Sequence, residues 1–540
     1  MNFILDFSSY SILLLHVINW RVTKERKEEH IMTSQICIII AIVLYLGLMI
    51  YVGISYSKNN TQTSDFYLGG RKLGPLVTAM SAEASDMSSW LLMGLPGVAY
   101  LSGIADAGWT AIGLALGTYI NWLIVSKKIR RYSSKLDAIT VPEFFSKRYG
   151  DDRHILTAVA AVVIVIFFIP YTASGFSACG KLFNTLFGMN YMVAVVLSAA
   201  VIILYCVLGG FLAVSTTDLL QSITMTIALI VVVGFGASVA GGFDVVINNA
   251  KALPGYLSMV QSHVVADNSA APYSTLTIAS TMAWGLGYFG MPHILLRFMA
   301  VEDENKLTLS RRIATVWVII SMAVAIFIGV VGYSVSQTGA IPVLEGSNSE
   351  TIIVQIASLL STHGVLAALA AGIIMAGIMA ATMSTADSQL LAAASSISQN
   401  LLQDYGKKKI DDKASLKIAR ITVIIISLIA IFLARNPDSS VFKIVSFAWA
   451  GFGAAFGPVV LLALFWKRSN KQGALAGMIA GGAFVFIWKY GIARLGGAFA
   501  IYELLPAFII ALLVNIVVSL LTTAPSEEIV KTFEEVSKKA

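Results

Sequence analysis

Charge is what this sequence has least of. Only 12% of its 540 residues are Asp, Glu, Lys or Arg, against about 25% in an ordinary soluble domain. With 57% of residues apolar and a mean hydropathy of +0.80, a soluble globular chain is excluded. Cysteine is scarce as well. Cys37, Cys179 and Cys206 all fall in apolar segments, with no metal-ligand spacing and no disulfide framework, and read as small core residues. No nucleophile–base or metal spacing surrounds Asp86, Asp218, Asp387 or His293, which argues against an enzyme. The net charge of +7 does not indicate nucleic acid, because the basic residues are scattered among short loops.

What remains is a chain whose solvent is lipid. Thirteen segments are expected to cross a bilayer of about 30 Å. They lie near residues 34–56, 75–100, 107–125, 155–178, 191–210, 217–240, 275–296, 313–335, 364–397, 418–434, 441–466, 472–492 and 500–522. Alternate loops are basic, among them 127–148 and 407–417; the others hold scattered cations such as Lys181, Lys251 and Arg494. The excess of Lys and Arg on the cytoplasmic side then places the N-terminus outside and the C-terminus inside, in a multi-pass cell-membrane protein. Residues 1–31, with one apolar run too short to span and a charged stretch, read as an extension preceding a transporter domain at 32–523. The external loop at 242–274 is expected to cap an outer vestibule, and residues 524–540 to form a solvated cytoplasmic tail. A sensor of similar membrane architecture would be expected to add a large signalling domain, which the tail is too short to supply.

Polar groups inside spans are costly and point to sites. Three stretches stand out. Ser81 to Trp90, followed by Gly94-Leu-Pro96, places Glu83, Asp86 and four serines in one span, a sequence that competes with its own helix for backbone hydrogen bonds. Broken helices of this kind expose carbonyls to a cation and a helix N-terminus to an anion. Trp284 to His293 contains three glycines and Pro292 beside Trp284 and Tyr288. Such a stretch breaks a helix and offers aromatic faces to an apolar ring and an ammonium. Ala380 to Gln389 carries Thr382, Ser384, Thr385, Asp387 and Ser388, oxygen donors of the hardness sodium prefers; the same hydroxyls can instead bond back to carbonyls one turn earlier. The first two stretches open corresponding halves, spans two to six (75–240) and seven to eleven (275–466), a five-plus-five arrangement.

These strings resemble the sodium:solute symporter family, most closely its proline-carrying branch, over Met32 to about Thr522. The resemblance rests on Gly69-Gly-Arg-Lys-Leu-Gly74, Ser85 to Gly97, Thr140-Val-Pro-Glu-Phe144 and Gly209 to Asp218. It continues in Trp284 to His293, Met383 to Leu390 and Trp466 to Ala474. The resemblance implies an all-α, LeuT-like inverted repeat that imports a small zwitterion, foremost L-proline, with sodium as its only cofactor and no obligate protein partner. Another amino acid, pantothenate, a sugar or a sialic acid is the alternative solute. Its implied sodium ligands are the carbonyls of Ala84, Met87 and Ala381 and the hydroxyls of Ser384 and Thr385, with Asp86 in support. Asp218 would lie on the ion's exit route, and Arg71 would contribute to coupling. The implied solute pocket comprises Ser88, Trp90, Tyr171, Trp284, Tyr288 and Pro292. Two positions depart from the family pattern: Ser89 stands where glycine is expected, and Glu83 where a small residue is.

Overall fold

The computed structural model describes residues 32–56, 63–406 and 411–538. Their secondary structure is helical apart from one antiparallel hairpin, Gln261–Val264 with Ser269–Pro272. Among the described residues ten helices are long and apolar enough to cross a membrane: Met32–Tyr56, Ile104–Lys135, Ile155–Phe187, Gly210–Val239, Glu304–Gln337, Val365–Tyr405, Lys413–Leu433, Val441–Phe465, Lys471–Leu495 and Leu504–Leu521. Several outrun the apolar runs that predict them. At about 1.5 Å per residue, Ile104–Lys135 is ~48 Å long, so its basic last turns project beyond any ~30 Å hydrocarbon layer.

Three expected spans take other forms. Tyr191–Leu204 is apolar but short, and it continues without a loop into the next helix. The whole run, Tyr191–Val239, bends at Gly210 (φ 68°, ψ 177°), a conformation that suits glycine. Residues 75–102 and 275–300 are interrupted in the middle. The extension at 1–31 lies outside the described residues.

The distribution of side chains is inverted relative to a soluble protein. Ile40, Leu44, Leu48 and Tyr51 point outward from the first helix, whereas Ser81, Glu83, Asp218, Arg297 and Asp387 are buried. Apolar solvent permits the first, and the second survives only with internal partners. Close approach of backbones supplies much of the packing. A methyl group at Gly117 would collide with the Gly285 carbonyl oxygen, and one at Gly285 with that of Gly113.

The 242–274 loop folds into Phe243–Ala252 and the hairpin, and it is fastened beside the end of the first interrupted helix. The Tyr256 hydroxyl donates to the Tyr100 carbonyl at 2.9 Å, and the Trp109 indole to that of Met259 at 2.7 Å. The tail, expected to be a solvated helix, does form one, Glu527–Ser537, but with Phe533 and Val536 buried against the basic end of the molecule.

Gly285→Val is expected to lower the yield of folded protein and to destabilise what remains by about 1–3 kcal/mol, the usual scale of overpacking. Thermal unfolding in detergent, set against the same change at Gly234, where a Cβ meets nothing within 4 Å, measures it.

Candidate functional site

The first interrupted helix starts at Pro75, whose missing N–H suits the first helical position, and stays regular through Met87. The break falls on one residue, Ser88, at φ 48° and ψ −172°. Such a backbone is strained for a residue with a side chain and persists only where its surroundings hold it. The Trp90 N–H turns back to the Met87 and Ser88 carbonyls and meets the Ser88 hydroxyl at 3.1 Å. A wide turn, Trp90–Gly94, then leads into Leu95–Ser102. In the second interrupted helix Thr275–Met282 tightens into Ala283–Gly290, Met291 is extended, and Pro292 opens a new helix to Ala300.

The hydroxyl-bearing helix Val365–Ser395 is continuous and packs beside the first break. The Ser384 hydroxyl lies 2.8 Å from the Ala84 carbonyl oxygen, across the two helices, and 3.2 Å from that of Ala381. Thr385 Oγ1 lies 3.3 Å from the same Ala381 oxygen. Four of the expected oxygens therefore converge on one buried point. Met87 stands at the break, its carbonyl engaged by Trp90. Thr382 bonds back to Ile378, at 3.1 Å, and does not join this group.

Asp86 connects this cluster to the aromatic residues. Its Oδ2 accepts from the Tyr288 hydroxyl at 2.5 Å, and its carbonyl from the Tyr171 hydroxyl at 3.1 Å. Trp90 and Trp284 face one another with centroids 5.5 Å apart. Phe442 covers both, stacked on Trp90 at 5.9 Å and tilted against Trp284 at 5.5 Å. Tyr502 stacks on Trp284 at 5.2 Å, and the Trp449 indole donates to the Trp284 carbonyl at 2.7 Å. The Trp90 indole nitrogen is buried with no hydrogen-bond partner in the structure, so a donor stands ready within the aromatic enclosure. Pro292 starts the helix beyond the break and makes no polar contact there.

Glu83, one turn before Asp86, reaches instead the third helix along the chain, Ile104–Lys135, which follows the interrupted helix at 75–102. Its Oε1 accepts from the Trp122 indole at 2.8 Å and from Thr118 at 3.1 Å, while Oε2 has no partner. Asp218 is buried beside Ser81, at 2.6 Å, and Arg297, at 3.1 Å. The same guanidinium holds Ser81, the His293 carbonyl and Ser388. Arg71 fans out at the basic end to the Met299 and Ala138 carbonyls, at 2.6 and 2.7 Å, and to Ser133. Burial lowers its guanidinium to about 10, with nearby Arg130 adding to the effect, so it stays charged at neutral pH. Leu73 bonds in strand fashion to Ala300 and Glu302, stitching the start of one interrupted helix to the end of the other.

Sequence reasoning missed several of these residues. Arg297 falls just past the expected span end at 296, and its signal was available: a lone arginine following a glycine-broken helix. Phe442, Trp449 and Tyr502 gave none, because their partners are remote in sequence. Lys181, read as a loop cation, is buried in Ile155–Phe187 and pairs with Glu350 at 2.8 Å.

The sequence profile of the sodium:solute symporter family matches residues 66–481. The chain belongs to that family. As a family of transporters, it makes this protein a transporter rather than an enzyme. The sodium/proline symporter of Haemophilus influenzae (strain ATCC 51907 / DSM 11121 / KW20 / Rd) is 41% identical over 93% of this chain and 97% of its own. The sodium/proline symporter of Escherichia coli (strain K12) is 40% identical over 92% and 95%. The osmoregulated proline transporter of Bacillus subtilis (strain 168) is 39% identical over 93% and 98%. Among solved structures, a sodium-coupled sialic acid symporter in a substrate-bound outward-open state matches with a TM-score of 0.73 at 18% identity, covering 91% of this chain and 99% of that one. The transporter Mhp1, closed around bromovinylhydantoin, matches at 0.52 and 12%, covering 87% and 98%. The symporter fold is therefore the LeuT-like one that those structures share.

Arg297→Leu is expected to cost this symporter about 3–5 kcal/mol, because it strands the Asp218 charge in the interior. The double change Arg297→Leu, Asp218→Leu should cost less than the single one. Thermal unfolding of the three proteins in detergent checks both statements.

Proposed function

We propose that this protein imports L-proline together with sodium by alternating access, across a cell membrane it crosses thirteen times. Residues 75–240 and 275–466 form two inverted repeats of five spans each, followed by two further spans at 472–492 and 500–522. Each repeat opens on an interrupted helix, which supports that division. The basic end faces the cytoplasm, with the N-terminus outside and the C-terminus within.

One observation carries the reading: the Ser384 hydroxyl meets the Ala84 carbonyl at 2.8 Å, deep between the first break and the hydroxyl-bearing helix. Ala84, Met87 and Ala381 carbonyls with the Ser384 and Thr385 hydroxyls give sodium an oxygen cage. Here the Ser384 proton bridges two of those oxygens; a cation takes its place by turning the hydroxyl around. Asp86, two residues along, supplies negative charge nearby without being neutralised by an arginine. Trp90, Trp284 and Phe442 enclose an apolar ring, and their faces attract its ammonium. The Trp90 indole and the N-terminus at the break suit its carboxylate. Ser88, Tyr171, Tyr288 and Pro292 complete the wall.

Coupling follows from shared parts. Tyr288 holds Asp86 from the helix whose Trp284 walls the pocket, one turn earlier. Sodium fixes the first break and solute fixes the second, so each ligand orders what the other needs, reciprocally. The sodium charge adds about 2.3 kcal/mol per 100 mV of inside-negative potential. Asp218 and Arg297 line the ion's way out, and Arg71 closes the inner mouth.

Labelled-proline uptake into proteoliposomes should require an inward sodium gradient and generate inward positive current. Ser384→Ala and Thr385→Ala should each raise the sodium concentration for half-maximal uptake about tenfold, the equivalent of ~1.4 kcal/mol. An unaltered sodium dependence in both variants would refute the ion assignment. Unlabelled pantothenate, sugars and sialic acid should fail to compete; competition by one of them would replace proline as the solute.

Trp284→Ala should weaken proline instead, raising its half-saturation about tenfold or more through lost burial and ring contact. Its effect on sodium half-saturation, measured at saturating proline, should be smaller.

A further inference from the structure

The helix Glu527–Ser537 is charged, yet one of its faces carries Ile529, Phe533 and Val536. That face is seated on the basic end. Ile529 lies against Gly150, and Phe533 packs edge-on against Tyr132. The buried guanidinium of Arg148 is held between the rings of Phe533, at 5.1 Å, Tyr149, at 5.0 Å, and Tyr132, at 5.5 Å. Its Nε donates to the Ala463 carbonyl at 2.9 Å, and its two terminal nitrogens have no hydrogen-bond partner in the structure, so around those two nitrogens the aromatic faces are what compensate its charge. Two exposed ion pairs flank the seat, Lys135 with Glu535 at 3.2 Å and Lys467 with Glu534 at 3.1 Å.

The seat adjoins the closed inner mouth. Arg131 grips Glu304 with two nitrogens, at 2.9 and 3.0 Å, and gives its third to the Val536 carbonyl at 3.1 Å. Glu304 lies two residues beyond the stretch Met299–Glu302 that bonds to Arg71, Leu73 and Arg130. One guanidinium thus joins the tail, the end of the third helix and the exit of the second interrupted helix. For the mouth to open, Met299–Glu302 must leave Arg71, Leu73 and Arg130, and Arg131 stands in the same row.

We infer that the helix Glu527–Ser537 is a brace on the inner gate, with Arg131 and Phe533 as positioning residues that hold the symporter closed toward its basic side. The inference rests on the alternating-access reading. The aromatic seat supplies the grip, and the exposed pairs, weak singly, make that grip sensitive to ionic strength.

Val301 is fully buried at the stitched mouth. Val301→Cys, labelled by an impermeant maleimide in nanodiscs and corrected for the buried native thiols, reports opening. In protein ending at Thr523, and in Phe533→Ala, labelling without sodium or proline should speed up about fivefold or more, and the sodium half-saturation of uptake should rise, as a shift away from the outward state requires. Lys135→Glu should label faster, and adding Glu535→Lys should restore slow labelling. Raising potassium chloride should speed labelling of the full chain and leave the shortened one unchanged. Equal labelling of full and shortened chains overturns the brace. Absence of sodium-dependent proline uptake by the intact protein overturns the transport reading instead, and the labelling comparison still judges the brace.

Discussion

The structure depends on one constraint: a polar atom taken into the apolar interior must find its partner there. A continuous helix satisfies its own backbone and leaves nothing for a guest. The two interruptions release backbone groups at Ser88 and around Met291, and everything nearby is arranged to make those groups tolerable. Tyr171 occupies the Asp86 carbonyl, Asn121 the Tyr288 carbonyl, and Ser384 the Ala84 carbonyl. The third of these joins two helices through a hydroxyl that can turn from donor to acceptor, which is what the proposed sodium site requires. A transport site is in this sense a place where internal satisfaction is replaceable.

The same constraint explains the unequal treatment of the buried acids. Asp218 and Glu350 have cations, Arg297 and Lys181, at 3.1 and 2.8 Å. Asp86 and Glu83 have only neutral donors: a tyrosine, a threonine and an indole. Under the proposed sodium site, a fixed cation beside Asp86 would cancel the field that attracts the ion. The departure at Glu83 is accommodated on the third helix, with its Oε1 turned to Trp122 and Thr118, so the fold is undisturbed by it. At Ser89, the other departure, the hydroxyl is buried without a partner, and nothing in the structure explains its choice over glycine.

How much of this was legible beforehand follows the range of the interactions involved. The breaks were readable because their causes are local: serines and acids crowded before Trp90, and glycines and proline around Tyr288. The break itself proved narrower than the string that announces it, a single residue rather than the whole Ser81–Trp90 stretch, because neighbouring helices accept most of its side chains. The meeting of Ala84 with Ser384, 300 residues apart, was reachable only through resemblance. The partners of Lys181, the lid made by Phe442 and the row of carbonyls around Arg71 have no local signature at all. The seating of the tail helix was missed although its cue was present: Ile529, Phe533 and Val536 at helical spacing are an apolar stripe, and a stripe on a charged helix asks for a seat.

The two ends of the pocket are closed by different physics, and that difference orders the cycle. Away from the basic end, Glu350 uses both oxygens at once. It takes Lys181, the Ser440 hydroxyl and the backbone N–H groups of Val441 and Phe442, so it caps the helix that carries the Phe442 lid. A buried ion pair with every lone pair engaged separates only if water or a substitute enters with the motion. At the basic end, Arg71 faces carbonyls and a hydroxyl rather than a carboxylate, and it is only partly buried. Water can replace neutral acceptors around a partly exposed guanidinium at little cost. The basic end is therefore the more easily opened of the two. In a symporter driven by an ion gradient, a mouth that opens without cargo leaks the cycle. Restraint on that side has to come from elsewhere in the chain, and the part of the chain seated beside Arg131 is the helix Glu527–Ser537.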